Sequence, residues 1–288
     1  MSTPPLFVNL NGSLVPAAEA RLPLLDHAVL YGDGLFETLR VYGGRFFRLE
    51  AHLERLQASS GQLRLSLPWS ADSLVGALRD TVRANGIGDG VVRLTVTRGE
   101  GPPVPDPARC GKPSFFVTSR PGPPPGEEAF EKGVSACLAG SHPRTFVPGV
   151  KSLSYLPFQQ ARVEARRRGF DDGLLAVGGD VVEGSTGNLF VVREGRLETP
   201  DLLSGCLPGI TRAAVMELAR AAGIPVVERS VSVTDLPACE ELFLTSSVAE
   251  LVPVARWEGR TVGDGSPGPL TRRLRRDYGA LVLRELQR

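Results

Sequence analysis

Lysine is almost missing from this chain. It occurs only at Lys112, Lys132 and Lys151, so arginine supplies 30 of the 33 basic residues. Arginine stays protonated and cannot act as an attacking amine, which leaves three candidates for any lysine-dependent chemistry. Lys112 lies between Gly111 and Pro113, and Lys132 precedes Gly133, both turn-like settings; Lys151 alone has apolar and hydroxyl neighbours. Net charge is also missing. The 33 basic and 32 acidic residues leave +1, which gives no bulk field to draw nucleic acid or an anionic membrane. No apolar run approaches the roughly 20 residues that a membrane-crossing helix needs. Met1–Pro5 carries neither the basic flank nor the apolar run of a secretion signal. The four cysteines (Cys110, Cys137, Cys206, Cys239) are far apart and form no C-x-x-C pair, so free thiols and a cytoplasmic location are expected. His27, His52 and His142 are too widely spaced to suggest a metal site, and no G-x-S-x-G nucleophile elbow occurs.

What is present is a mixed pattern of short β-rich runs and amphipathic helices along 288 residues, which implies an α/β fold with a substantial core. Asn11-Gly12 predicts a hairpin over Leu6 to Val15. Helices are predicted over Leu49 to Ser60, stopping at Gly61, and over Ser70 to Asn85, with Ser70 as N-cap and Gly86 as the stop. Val91 to Thr97 and Ser114 to Thr118 are β-rich. The Pro121-Gly122-Pro123-Pro124-Pro125-Gly126 stretch reads as a stiff linker. The expected organisation is therefore a small N-terminal α/β domain over 1–120, a linker over 121–127 and a larger C-terminal domain over 128–288. In the latter, strands are predicted near 133–138, 174–177, 180–183 and 188–192, helices at 157–168 and Thr211 to Ala222, a strand over Glu241 to Thr245, and a basic amphipathic helix from Leu270 onward.

Three segments carry the chemistry. Val150-Lys151-Ser152-Leu153-Ser154-Tyr155 offers an amine. Val182-Glu183-Gly184-Ser185-Thr186-Gly187-Asn188-Leu189-Phe190 offers a carboxylate where a strand ends. Leu207-Pro208-Gly209-Ile210-Thr211-Arg212 forces a turn and then opens a helix, whose free N–H groups suit a phosphate-sized anion. In this order the three meet the needs of pyridoxal 5′-phosphate: a Schiff-base partner, a partner for the pyridine nitrogen and a phosphate cradle. Lys151 would form the Schiff base and then move the proton as base and acid. Glu183 would keep the ring nitrogen protonated, and Tyr155 could hydrogen-bond the ring's phenolate oxygen. Ser246 and Ser247, after the apolar Leu242-Phe243-Leu244, form a second small hydroxyl loop suited to phosphate. Arg55, on Glu50 to Leu56, could supply the countercharge.

These residues resemble a family, the class IV (fold type IV) pyridoxal-phosphate aminotransferases, over nearly the whole chain. Tyr31-Gly32-Asp33-Gly34-Leu35-Phe36-Glu37-Thr38-Leu39-Arg40 is similar to its N-terminal signature, and His52-Leu53-Glu54-Arg55-Leu56 to its H-x-x-R-L helix. The three cofactor segments and Thr245-Ser246-Ser247-Val248-Ala249-Glu250 complete the match. The resemblance implies Lys151 as the Schiff-base lysine, Glu183 at the pyridine nitrogen, and Arg55, Ile210, Thr211 and Ser247 on the phosphate, with Leu207 on the ring face. It also implies a C-terminal domain with a barrel-like sheet and a homodimer whose partner helps wall the active site.

The substrate patterns within that family are each incomplete here. Branched-chain aminotransferases usually place tyrosine and arginine two apart where this chain has Val91-Val92-Arg93. The R-x-H trap of D-amino-acid aminotransferases is replaced by Pro103-Val104-Pro105. Aminodeoxychorismate lyases often carry an arginine in that loop and an asparagine near Ser246, and both are absent. Phe36 and Leu35 would wall an apolar side chain, with Arg40, Arg93 and Arg98 as the cations for substrate carboxylates. Gly263-Asp264-Gly265-Ser266-Pro267-Gly268 spells G-x-G-x-x-G, but the helix that follows is not followed by the second strand of a dinucleotide-binding unit. The expected activity is amino-group transfer between an apolar or branched-chain amino acid and a 2-oxo acid. Aminodeoxychorismate lyase is the alternative, and D-amino-acid transamination the third reading.

Overall fold

The apolar alternation of Leu35, Leu39 and Val41 along Gly34–Tyr42 puts one face of that strand into a core, and the rest of the first unit is built on it. The computed structural model describes residues 6–142 and 148–287. The chain forms two compact units: the first runs to Pro124 and takes back Val150–Tyr155, and the second holds the remainder from Pro125 onward. In the first, the strands are β1 (Phe7–Leu10), β2 (Ser13–Pro16), β3 (Gly34–Tyr42), β4 (Arg45–Phe46), β5 (Gly90–Thr97) and β6 (Ser114–Pro121), and the helices α1 (His27–Tyr31), α2 (Leu49–Leu63) and α3 (Ala71–Ala84). Among the described residues the strands form one sheet in the order β2-β1-β6-β5-β3-β4. The β1–β2 hairpin turns on Asn11 and Gly12, both at positive φ (52° and 94°).

β3 and β5 pair antiparallel from Gly34↔Thr97 to Val41↔Gly90. Strand alternation then separates two rows. Leu35, Leu39, Val41, Val92, Leu94 and Val96 pack with Leu49 and Leu56 of α2 and Leu74 and Leu78 of α3. Each such leucine taken out of water contributes roughly 1.5–3 kcal/mol. Phe36, Thr38, Arg40, Val91, Arg93 and Thr95 alternate to the other face. Glu37 falls in the apolar row, and that break in pattern marks a site rather than an error.

Three expectations are corrected here. Val150–Tyr155 belongs with the first unit, not with 128–288. Its backbone bonds the start of β3, through Phe36 N–H to the Lys151 carbonyl (3.0 Å) and Leu153 N–H to the Gly34 carbonyl (2.9 Å). A Cβ at Gly34 would collide with the Val96 carbonyl and Leu153 Cδ1, so only glycine permits this approach. The stretch 121–127 is not all linker, since Pro121 still pairs with Gly90 and Glu127 opens a helix. Gly61 does not stop α2. The helix ends at Arg64 in the left-handed region (φ 48°), with Leu65 N–H bonding the Ser60 carbonyl, so Gly61 sits inside the last turn.

The second unit contains α4 (Glu127–Lys132), β7 (Val134–Ser141), α5 (Leu156–Arg167), β8 (Asp172–Val177), β9 (Asp180–Gly184), β10 (Asn188–Arg193), β11 (Arg196–Thr199), α6 (Ile210–Ala221), β12 (Val226–Glu228), β13 (Val231–Ser232), β14 (Glu241–Ser246), β15 (Glu250–Trp257), β16 (Arg260–Thr261) and α7 (Pro269–Leu286). Its described strands form a ten-stranded sheet ordered β12-β11-β10-β14-β15-β7-β8-β9-β13, with β16 beside β15. Leu174, Val181, Leu189, Val191, Leu242, Leu244, Val254 and Trp257 pack into one core. The register Asn188↔Thr245 sets the start of β10 against the end of β14, next to the end of β9. That corner is where the second unit's candidate residues gather.

Candidate active site

In the first unit, Phe36 is the centre of a cluster. Its ring is 4% exposed. The Arg93 guanidinium lies 3.6 Å from the ring centroid and the Lys151 amine 4.5 Å from it. Tyr155 meets Phe36 edge-on at 5.5 Å, and the Lys151 amine is 5.7 Å from the Tyr155 ring. Two cations thus stand against aromatic rings, each such contact contributing about 0.5–2 kcal/mol. Burial holds Arg93 below the usual arginine range, and nearby Tyr155 opposes this. Arg93 has no ion pair among the described residues, and its Nε only reaches Thr95 Oγ1 at 3.3 Å. Lys112 and Lys132 are exposed.

The other two candidate arginines are placed differently. Arg98 donates to both Asp33 carboxylate oxygens (2.9 and 3.0 Å) and to the Arg64 and Leu63 carbonyls. Four of its five N–H donors are thus engaged by Asp33 and the two carbonyls, which makes Arg98 a brace within the first unit. Arg40 is buried, donates to the Gly122 carbonyl (2.8 Å) and lies 5.6 Å from the Tyr42 ring.

Arg55 sits in a buried charge network that its helix spacing did not reveal. Its Nε and Nη2 donate to Glu37 at 2.8 and 2.6 Å, and His52 Nδ1 meets the same carboxylate at 2.7 Å. The spacing His52-x-x-Arg55 puts both on one helix face, opposite Glu37 on β3. Burial alone would raise the Glu37 carboxyl. The Arg55 charge, with hydrogen bonds from Arg55 and His52, outweighs it and lowers the value to about 2. His52 is pushed down from 6.5 by burial, partly opposed by Glu37, with Arg55 and Lys151 adding to the lowering.

In the second unit, the Glu183 carboxylate is 6% exposed and accepts three hydrogen bonds from the described residues. His142 Nε2 reaches Oε1 at 3.0 Å; the Leu207 N–H and Asn188 Nδ2 reach Oε2 at 3.3 and 3.4 Å. Asn188 Nδ2 also donates to the Leu207 carbonyl (2.8 Å), tying the strand to the turn before α6. Sequence spacing gave no sign of His142, which is 41 residues from Glu183. Asp172 braces the intervening turn through the Ser185 and Thr186 hydroxyls.

Two of the long helices of this unit, α6 and α7, start differently. The α7 N-terminus is already filled, because Glu241 accepts from Leu270 N–H (2.9 Å), Thr271 N–H (2.7 Å) and Thr271 Oγ1 (2.6 Å). No phosphate is expected at the G-x-G-x-x-G string that precedes it. α6 begins at Ile210 after Gly209, with no side-chain cap, so its positive end offers N–H groups to an external anion. Thr211 is buried in this first turn, and Arg212 anchors it from below through Glu228 and the Pro200 carbonyl, both at 2.9 Å. Thr245, paired with Asn188, carries a buried Oγ1 with no hydrogen-bond partner among the described residues. Ser246 and Ser247 follow it, half-buried, with Ser246 Oγ accepting from Ala249 N–H at 3.1 Å. Among the described residues no group of three or more His, Cys, Asp or Glu side chains could hold a metal ion.

The family model for amino-transferase class IV matches residues 34–257. The chain belongs to this family. A putative branched-chain-amino-acid aminotransferase of Methanocaldococcus jannaschii is 37% identical over 272 residues, 94% of each chain. A D-alanine aminotransferase of Bacillus licheniformis is 31% identical over 96% of this chain and 98% of its own. Among solved structures, a T.th. branched-chain amino acid aminotransferase with pyridoxamine 5′-phosphate superposes with a TM-score of 0.91 at 32% identity, covering 98% of this chain and 95% of that one. The α/β architecture is that of fold type IV. For a class IV aminotransferase, the uncapped α6 start and the Thr245 hydroxyl, which has no hydrogen-bond partner among the described residues, fit a phosphate-bearing cofactor, and buried Glu183 fits a ring cation.

Proposed function

We propose that this class IV aminotransferase moves an amino group between an apolar, branched-chain L-amino acid and a 2-oxo acid, with pyridoxal 5′-phosphate as cofactor. The observation that carries this reading is the buried Phe36 ring with Arg93 on it at 3.6 Å and Lys151 at 4.5 Å. An apolar wall, a cation with no ion pair among the described residues and an amine meet at one place. The 37% relative's name and the replacement of an R-x-H trap by Pro103-Val104-Pro105 favour branched-chain L-substrates over D-amino acids.

When bound, the cofactor supplies a carbonyl that takes the amino group and a ring that withdraws electrons from the substrate α-carbon. Lys151 Nζ takes the α-proton and returns it, as general base and then acid. Glu183 holds the proton at the pyridine nitrogen. Tyr155 would hydrogen-bond the ring's phenolate oxygen, and Leu207 would pack on the ring face. The residues that would hold the phosphate are Ile210 and Thr211 through their N–H groups, Thr211 through its hydroxyl, Ser246 and Ser247, with Arg55 as the countercharge. Arg93 binds the substrate carboxylate through its planar fork, with Arg40 on the same face of the sheet, on neighbouring β3, as the second cation.

The proposal includes a homodimer in the cytoplasm. Leu24, Leu25, Val29, Leu30 and Tyr31 are exposed together around α1, an apolar strip suited to a second copy. The four cysteines are free, and burial raises Cys206 and Cys239 to about 11, so neither is poised as a thiolate. No helix among the described residues is long and apolar enough to cross a membrane.

A single-turnover screen of the purified holoenzyme tests the activity. L-Leucine, L-isoleucine and L-valine should shift the visible absorbance of the bound cofactor and yield stoichiometric 2-oxo acid. Conversion by D-alanine alone would move the reading to D-amino acids. Pyruvate release from aminodeoxychorismate, with no response to any amino acid, would replace it with the lyase.

A further inference from the structure

We infer that His142 is a positioning residue that fixes the Glu183 carboxylate for the cofactor's ring nitrogen, an inference that rests on the role proposed above for Glu183. Of the three hydrogen bonds to this carboxylate among the described residues, the one from His142 is the shortest, at 3.0 Å, and goes to Oε1; Leu207 N–H and Asn188 Nδ2 hold Oε2 at 3.3 and 3.4 Å. Both side chains are buried, His142 at 8% and Glu183 at 6% exposure. An ionised carboxylate has no proton to give, so Nε2 is the donor. His142 Nδ1 is buried with no hydrogen-bond partner among the described residues, so among them the ring's hydrogen bonding runs through Nε2 to Glu183.

The histidine is itself held from two elements. Its backbone N–H bonds the Ala176 carbonyl of β8 at 3.0 Å, and its ring meets Phe158 of α5 edge-on at 5.6 Å. The donor therefore stands in place before any ligand arrives, and the glutamate is restrained through both oxygens. A glutamate tied only at Oε2 keeps a torsional freedom that the ring nitrogen would have to remove on binding. The role resembles that of the outer partner that orients a ligating side chain in a metal site.

Holoenzyme reconstituted with ring-¹⁵N pyridoxal 5′-phosphate gives a readout independent of turnover, since the ¹⁵N shift reports whether that nitrogen is protonated. His142→Phe keeps the ring contact with Phe158 and removes the donor; His142→Gln restores an amide N–H near the Nε2 position. Relative to wild type, His142→Phe should move the ¹⁵N shift toward that of Glu183→Gln and slow the L-leucine half-reaction roughly tenfold or more, as loss of an outer partner does elsewhere. His142→Gln should recover most of both. If His142→Phe does not fold, His142→Asn against His142→Gln places the same amide at two reaches, and the Gln variant should lie closer to wild type. An unchanged ¹⁵N shift in His142→Phe, alongside a changed one in Glu183→Gln, overturns the role of His142 and leaves that of Glu183 standing. An unchanged shift in Glu183→Gln overturns both.

Discussion

Two arginines five residues apart carry the same charge into opposite settings, and the settings predict opposite phenotypes. Arg98 is bonded to Asp33 through both carboxylate oxygens and to two carbonyls. Arg98→Ala should therefore lower unfolding stability by about 3 kcal/mol, the cost of breaking a buried pair. The KM for L-leucine in whatever fraction folds should not move. Arg93 lies on the Phe36 ring without an ion pair among the described residues. Arg93→Lys keeps the charge but loses the planar fork, and about 2 kcal/mol, or roughly thirtyfold in kcat/KM, should go with it. That loss should appear in KM, with the visible spectrum intact; a Tm loss with unchanged KM would return Arg93 to a structural role. Lys151 makes a sharper test. Lys151→Ala should abolish the visible absorbance of the loaded protein and transamination together, and a reduced adduct mapped to Lys112 or Lys132 would overturn the assignment.

At the scale of elements, the contrast lies between two helix starts. α7 is capped by Glu241, whereas α6 begins at Gly209 with no side-chain cap. A Cβ on Gly209 would overlap Asn188 Oδ1, the residue that also braces Glu183 and the Leu207 carbonyl. Gly209→Ala should thus push the α6 N-terminus away from β10. Roughly tenfold weaker cofactor binding is expected, measured by fluorescence titration of the apoprotein, since helix-end attraction contributes about 1 kcal/mol or more in such buried settings. Unchanged affinity would mean that the phosphate is held elsewhere. Much at this scale was readable in the sequence. Ser70 caps α3 as expected, its hydroxyl accepting from Ser73 N–H at 3.1 Å, and Gly86 follows its end at φ 61°. Such signals are local. What stayed hidden was decided by distant contacts: the return of Val150–Tyr155 to β3, the passage of α2 through Gly61, and the pairing of His142 with Glu183. The His52-x-x-Arg55 spacing was visible, but the Glu37 carboxylate that both face lies on another element and shows only as a polar break in an apolar row.

For the molecule as a whole, acid tests the buried charges together. Glu37 sits at about 2 in the folded chain against an ordinary value of 4.5, because the Arg55 charge and the hydrogen bonds from Arg55 and His52 outweigh its burial. A folded value below the unfolded one means that the native state binds fewer protons. The contribution is complete above pH 4.5 and is lost as the pH falls toward about 2; it amounts to on the order of 3 kcal/mol. His52 acts in the same direction. Burial holds it below its ordinary 6.5, so the folded chain favours neutral imidazole, and this contribution is full above pH 6.5 and declines below it. The urea midpoint should therefore stay level near neutral pH, begin to fall below 6.5 and fall most steeply below 4.5. Glu37→Gln leaves the Arg55 charge buried beside a neutral amide, so this variant should be less stable at pH 7. Its profile should also be flatter between pH 4.5 and 2, because the titrating group is gone. Wild-type and Glu37→Gln profiles that run parallel through that window would place the acid sensitivity elsewhere in the chain.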